Sequence, residues 1–169
     1  ANSEYEKVVN KVYDKYVQKL KQNNAVDFDD LLILPITLFK KYPAILEEYQ
    51  NRYKYILIDE YQDTNEAQYI LSKMISAKYK NICVVGDADQ AIYGFRGANY
   101  RNILNFEKDY PNAISINLEQ NYRSTKTILD AANCVIKNNM ERKPKNLWST
   151  KGIGEKITYY RAYDEKDES

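Results

Sequence analysis

Residues 54–63 read Lys-Tyr-Ile-Leu-Ile-Asp-Glu-Tyr-Gln-Asp, a short apolar run that stops at two adjacent carboxylates, Asp59 and Glu60. A run this brief and this apolar predicts a strand buried in a parallel sheet rather than a helix. The pattern then repeats. A strand over 55–59 leads through a polar turn to a helix over 66–76. A strand over 82–85 leads through a Gly-containing loop to a helix over 100–108. A strand over 113–118 leads to a helix over 125–138, capped by Ser124. Apolar strands joined by helical crossovers define an α/β fold, a parallel sheet with flanking helices. Such sheets place ligands beyond the carboxyl ends of their strands, so Asp59, Gly86 and Asn121 fall at one edge.

The first fifty residues have a helical period instead. Ser3-Glu4-Tyr5-Glu6 forms a capping box, and Val9, Val12, Tyr13, Tyr16, Val17 and Leu20 mark one apolar face, expected to be buried. Gln22-Asn23-Asn24 ends that helix. Asp27 is expected to cap a second helix from about Phe28, kinked at Pro35, and Pro43 suits the first turn of a third that ends near Asn51. Beyond Asn138 the chain turns polar and basic. Lys137, Arg142, Lys143, Lys145 and Lys151 stand against Glu141 alone. A short strand over 156–161 and the acidic first turn of a helix, from Asp164, close the sequence. Gly152-Ile153-Gly154 reads as a turn.

Composition removes several chemistries. The chain has no histidine, which excludes a Ser-His-Asp triad, a His-Cys zinc site and a histidine general base. Cys83 and Cys134 lack metal-ligand spacing and read as reduced core thiols. A net charge of +1 does not argue for nucleic acid, so any such contact rests on local chemistry. No apolar stretch approaches the roughly 18 residues of a spanning helix and no signal peptide opens the chain, so a cytoplasmic protein with no membrane partner is expected.

Three motifs carry candidate chemistry. In a nucleotide-hydrolysing site Asp59 suits Mg²⁺ and Glu60 suits positioning or deprotonating water, while Asp63 reads as a helix cap. Gly86-Asp87-Ala88-Asp89-Gln90 begins 27 residues after Asp59. Gln90 is no base, but its amide donates and accepts, as sensing a γ-phosphate and its water requires. The following Ile92-Tyr93-Gly94-Phe95-Arg96-Gly97 sets aromatics and a cation between glycines, which suits base stacking; inward folding of Tyr93 and Phe95 is the bland alternative. In Asn121-Tyr122-Arg123-Ser124 the guanidinium of Arg123 suits a terminal phosphate at a helix start, and Tyr122 suits stacking on a base. A surface pair between Arg123 and Glu119 is the structural alternative.

Together with Val26-Asp27-Phe28-Asp29-Asp30-Leu31, these blocks closely resemble the UvrD/PcrA/Rep group of superfamily 1 DNA helicases, and within it the PcrA branch. The resemblance implies a partial RecA-like P-loop NTPase lobe preceded by a helical piece of an inserted subdomain. Residues 1–25 would end that subdomain, 26–118 would form the later part of the first lobe, and 119–169 would open the second. It implies ATP with Mg²⁺, and single-stranded DNA and DNA junctions as partners, alongside repair or replication proteins. It assigns Asp59 to the metal, Glu60 to water, Gln90 to the γ-phosphate, Tyr122 to adenine and Arg123 to a finger role. Tyr93, Phe95 and Arg96 would couple DNA to the nucleotide. Two departures stand out. Phe95 replaces the family's usual tryptophan, and no Gly-x-x-x-x-Gly-Lys-Ser/Thr loop occurs, so this chain alone is expected neither to hydrolyse ATP nor to unwind DNA. A helicase–nuclease motor and a non-catalytic helicase-derived binding module are the competing expectations.

Overall fold

In a computed structural model, residues 3–168 are described. Helix α1 (Glu4–Gln22) starts at the expected capping box, Ser3 Oγ accepting from the Glu6 amide at 3.2 Å and Glu6 accepting from the Ser3 amide at 3.0 Å. Its apolar face is not buried. Val9, Val12, Tyr13 and Tyr16 lie exposed, and Val17 and Leu20 are only half-buried. Helix α2 (Asp30–Lys41) begins later than expected and leaves Phe28 outside; its N-cap is Asp29, which makes no side-chain cap bond, while Asp27 lies two residues further out and accepts from the Asp30 amide through Oδ1 at 2.9 Å. It continues through Pro35 and packs on α3 (Pro43–Arg52) and α4 (Glu66–Ser76). Phe39, 4% exposed, meets Tyr49 at a ring distance of 5.2 Å, and Gln50 Nε2 donates to the Met74 carbonyl at 2.8 Å.

Strands β1 (Ile56–Ile58) and β2 (Ile82–Val84) pair in parallel, with Ile56, Leu57 and Ile58 opposite Ile82, Cys83 and Val84. Side chains alternate across the sheet. Ile56, Ile58, Ile82 and Val84 face inward, while Leu57 and Cys83 face outward over an open groove of about 610 Å³. Cys83 and Cys134 are free thiols, as expected, but both are exposed rather than in the core.

The expected strand over 113–118 does not form. Ile114, Ile116 and Leu118 alternate as a strand would and remain exposed. A strand exists by exchanging backbone hydrogen bonds with a neighbour, and among the described residues β1 and β2 pair only with each other. The segment over 156–161 is likewise unpaired. The helix expected over 100–108 is two short helices, α5 (Arg101–Leu104) and α6 (Phe106–Asp109), separated by Asn105 at φ −92°, ψ 0°. Helix α7 (Lys126–Ile136) follows Thr125, not Ser124. Its first amides, on Lys126 and Thr127, donate to the carbonyls of Gly152 and Ile153 at 3.2 and 3.1 Å, so a neighbouring turn replaces the side-chain cap. Helix α8 (Glu165–Glu168) is a single acidic turn, as expected.

The best-buried ring belongs to the acidic motif itself. Tyr61 is 1% exposed and meets Phe106 edge-on at 5.9 Å, with Tyr110 stacked behind at 4.7 Å from Phe106. Lys73 and Tyr69 of α4 both donate to Asp109, at 2.8 and 2.7 Å, and tie α6 down beside that cluster. In the full-length protein Tyr61→Ala is expected to cost about 3–5 kcal/mol in urea unfolding, the usual loss for a buried aromatic. Tyr61→Phe keeps the ring and is expected to cost about 1 kcal/mol, one hydroxyl bond. Equal losses would mean that the ring packing is not what holds this corner.

Candidate nucleotide and nucleic-acid site

Strand β1 ends at Ile58 and delivers Asp59 and Glu60 to the surface beyond the sheet. Asp59 Oδ1 accepts from the Glu60 amide at 2.9 Å. Glu60 has φ 50°, ψ 42°, the left-handed region, which costs an L-residue about 1–2 kcal/mol. Such strain persists only where the surroundings impose it. Here the loop's backbone bonds impose it, the Tyr61 amide donating to the Val85 carbonyl at 3.0 Å and the Asp63 amide to the Glu60 carbonyl at 2.9 Å, and Gln62 holds the side chain. Buried to 1% exposure, its Nε2 donates to Glu60 Oε2 at 2.8 Å and, more weakly, to Asp63 Oδ2 at 3.3 Å. Its Oε1 accepts from the Asp87 amide at 3.0 Å. That approach demands a glycine next door, since a Cβ on Gly86 would lie 2.4 Å from Gln62 Oε1. Asp63 is not the helix cap expected of it. Asn65 caps α4, accepting from the Gln68 amide at 2.9 Å, and the buried Asp63 Oδ1 has no hydrogen-bond partner.

Strand β2 delivers the second motif beside the first. Asp87 starts a 3-10 turn over Ala88–Gln90, and Gln90 Nε2 donates to Asp87 Oδ2 at 2.8 Å. Glu60, Gln62, Asp87 and Gln90 thus form one hydrogen-bonded chain. Burial works against the charged form of Asp87, but bonds from Lys145, Gln90 and the Asp89 amide outweigh it, and its pKa lies below the ordinary carboxylate value.

The aromatic loop is held out, not folded inward. Phe95 is 79% exposed and Tyr93 also reaches solvent, with ring centroids 6.2 Å apart. Arg96 lies 5.4 and 5.3 Å from the two rings, and Gly97 closes the turn at φ 84°, a conformation suited to glycine. The loop's far end is tied to the acidic motif. The Asn99 amide donates to the Thr64 carbonyl at 2.9 Å, and the buried Asn102 donates to the same carbonyl at 3.1 Å.

Tyr122 and Arg123 belong to a separate frame. Asn121 Oδ1 accepts from the amides of Arg123 and Ser124 at 2.9 and 2.7 Å, a side-chain turn that presents Arg123 at the start of α7. Tyr122 is 74% exposed and donates to Gln120 Oε1 at 3.0 Å. Glu119 accepts from the Asn146 amide at 3.0 Å, which gives it a partner other than Arg123. The basic run also has partners that sequence reasoning missed. Arg142 binds Asp89, Lys143 binds Glu107 and Lys145 binds Asp87. Asp87 and Asp89, two residues apart, face Arg142 and Lys145, three apart; that complementarity was the available signal.

The residues therefore form two groups: an acid and an amide on one hydrogen-bonded frame, and an arginine at a helix start. Among the described residues no cluster of three acidic, cysteine or histidine side chains could hold a metal by itself. A single exposed carboxylate at Asp59 fits Mg²⁺, which is commonly held by one or two carboxylates together with substrate phosphates.

A parallel β-α-β core with acidic and amide motifs beyond its strands is consistent with part of a helicase lobe. The UvrD/REP helicase N-terminal domain family matches residues 1–111, and the UvrD-like helicase C-terminal domain family matches residues 116–169. The chain belongs to the UvrD/REP helicase family. It is 59% identical, over all 169 residues, to the ATP-dependent DNA helicase PcrA of Staphylococcus aureus strain Mu50. It is 57% identical to that of Staphylococcus epidermidis strain RP62A. In both cases the chain spans 23% of the relative's length. No helix of the described residues is long and apolar enough to cross a membrane.

Proposed function

We propose that this chain is the middle of an ATP-dependent 3′-to-5′ DNA helicase or translocase, coupling ATP hydrolysis to movement on single-stranded DNA in the cytoplasm. The observation that carries the reading is the chain of bonds from Glu60 through Gln62 and Asp87 to Gln90, which sets a carboxylate and an amide on one frame at the ends of parallel strands. In this reading residues 1–25 belong to an inserted helical subdomain, 26–118 to the first RecA-like lobe and 119–169 to the second.

Asp59 would hold Mg²⁺, which would supply charge neutralisation at the transferring phosphoryl group. Glu60 orients the attacking water and takes its proton. Gln90 reads the γ-phosphate, Tyr122 stacks on adenine, and Arg123 stabilises the charge of the transition state. Tyr93, Phe95 and Arg96 meet the bases of single-stranded DNA or of a DNA junction, and their tether to Thr64 carries DNA binding to the acidic loop. Repair or replication proteins are the class of partner such a motor serves.

The test is ATP hydrolysis by the full-length protein with and without single-stranded DNA. Strong stimulation by DNA is expected, and no turnover in a folded protein would replace the motor with a binding role. Phe95→Ala removes one stacking surface, worth about 1–3 kcal/mol per base, and should lower the DNA-stimulated rate far more than the rate without DNA. Equal losses would assign Phe95 to packing.

A further inference from the structure

The turn that carries Gln90 is gripped from a distant part of the chain. Arg142 Nε and Nη2 donate to Asp89 Oδ2 at 3.2 and 2.7 Å, and the two side chains are 11% and 8% exposed. Lys145 Nζ donates to Asp87 Oδ1 and lies 3.4 Å from Asp89 Oδ2. Asp87 and Asp89 are close enough to repel each other, and a buried carboxylate is held ionised only by such partners. Asp87 has a further bond. Its Oδ2 accepts from Gln90 Nε2 at 2.8 Å. An ionised carboxylate only accepts, so only the NH₂ end of the Gln90 amide can face it, and this selects one of the amide's two orientations. The carbonyl end and the second N–H are then left for other partners.

We propose that Asp87 is a positioning residue for Gln90, and that Lys145 acts through it while Arg142 holds the neighbouring Asp89, whose amide donates to Asp87 Oδ1 at 2.9 Å, so that docking of the segment after α7 orients the phosphate-sensing amide. The inference rests on the reading of Gln90 given above. It adds that the part of the chain matching the C-terminal helicase domain sets the orientation of a group carried by the N-terminal one. Without the grip, Asp87 loses its reason to stay ionised and aimed, and the amide is free to turn over.

The experiment is a cycle in the full-length protein, reading kcat and KM for ATP in saturating single-stranded DNA. Lys145→Met, which keeps length and removes charge, is expected to lower kcat about tenfold with KM for ATP changed less than about threefold. Lys145→Arg is expected to retain most of the activity. In a Gln90→Ala background Lys145→Met should cost little more. A full loss in both backgrounds would make Lys145 a merely structural contact and overturn the proposal. So would an unchanged kcat in Lys145→Met when Gln90→Ala is impaired. If Gln90→Ala itself turns over normally, the reading of Gln90 fails first. Asp87→Asn, nearly isosteric, repeats the cycle if Lys145→Met does not fold; its amide can donate to the Gln90 carbonyl and permit the wrong orientation, so the same loss of kcat is expected. An unimpaired Asp87→Asn would overturn the proposal.

Discussion

Glu60→Gln in the full-length protein is expected to lower ATP turnover by about 10²–10⁴-fold, the range in which a positioned general base contributes. The substitution tests chemistry more than shape. Glutamine has nearly the same outline, and its carbonyl oxygen can still accept the bond that Gln62 Nε2 makes to Glu60 Oε2 at 2.8 Å. The left-handed backbone at residue 60 is imposed by the loop, not by the carboxylate, so it should survive. What is lost is basicity toward a water proton. Nucleotide affinity, measured by equilibrium binding, should change less than about threefold, because the residue is assigned no contact with the ground-state phosphates. A variant that folds, binds ATP and hydrolyses it at the parent rate would remove Glu60 from the reaction. The general base would then have to be another acid near β1.

The local signals that held are those decided by neighbours in sequence. The capping box at Ser3, the proline-initiated α3 and the bounds of α4 depend on residues a few positions apart, and each was legible. The failures were of a different kind. Residues 113–118 have the composition of a strand, yet a strand needs a partner edge, and composition says nothing about whether one is present. The apolar stripe of α1 was readable, but what covers it was not. At the site, the sequence places Asp59, Glu60 and Gln90 beyond strand ends, while nothing in it marks Gln62, which joins Glu60 to Asp87, the partner of Gln90. A buried glutamine is hard to recognise because its value lies in two bonds to residues on different loops. The basic run is plain in the sequence, but its net charge gives no direction. Only the fold reveals that Arg142, Lys143 and Lys145 are spent on Asp89, Glu107 and Asp87, so most of that run is internal ion pairing rather than a free surface for phosphates.

Arg123→Ala should cut turnover still further, by about 10³–10⁵-fold, as removal of an arginine finger does. Its mounting explains why the effect should fall on rate. The backbone is fixed by Asn121, whose side chain takes the amides of Arg123 and Ser124, and by Lys151, whose Nζ donates to the Arg123 carbonyl at 2.9 Å. The side chain itself is exposed, so truncation leaves the turn standing and removes only the charged fork. In the proposed reading, a group on a different frame from Glu60 and Gln90 acts when the two frames meet around nucleotide, and that meeting would matter most as charge develops on the transferring group. Equilibrium binding of ATP is therefore expected to weaken by less than about tenfold while the single-turnover rate collapses. Arg123→Lys keeps a positive charge but not the planar fork, and should recover only part of the rate. If the alanine variant hydrolyses ATP normally, Arg123 is a surface residue of the turn before α7 and the transition-state charge is met elsewhere. If affinity and rate fall together by the same factor, Arg123 holds the nucleotide in its ground state and does not act as a finger.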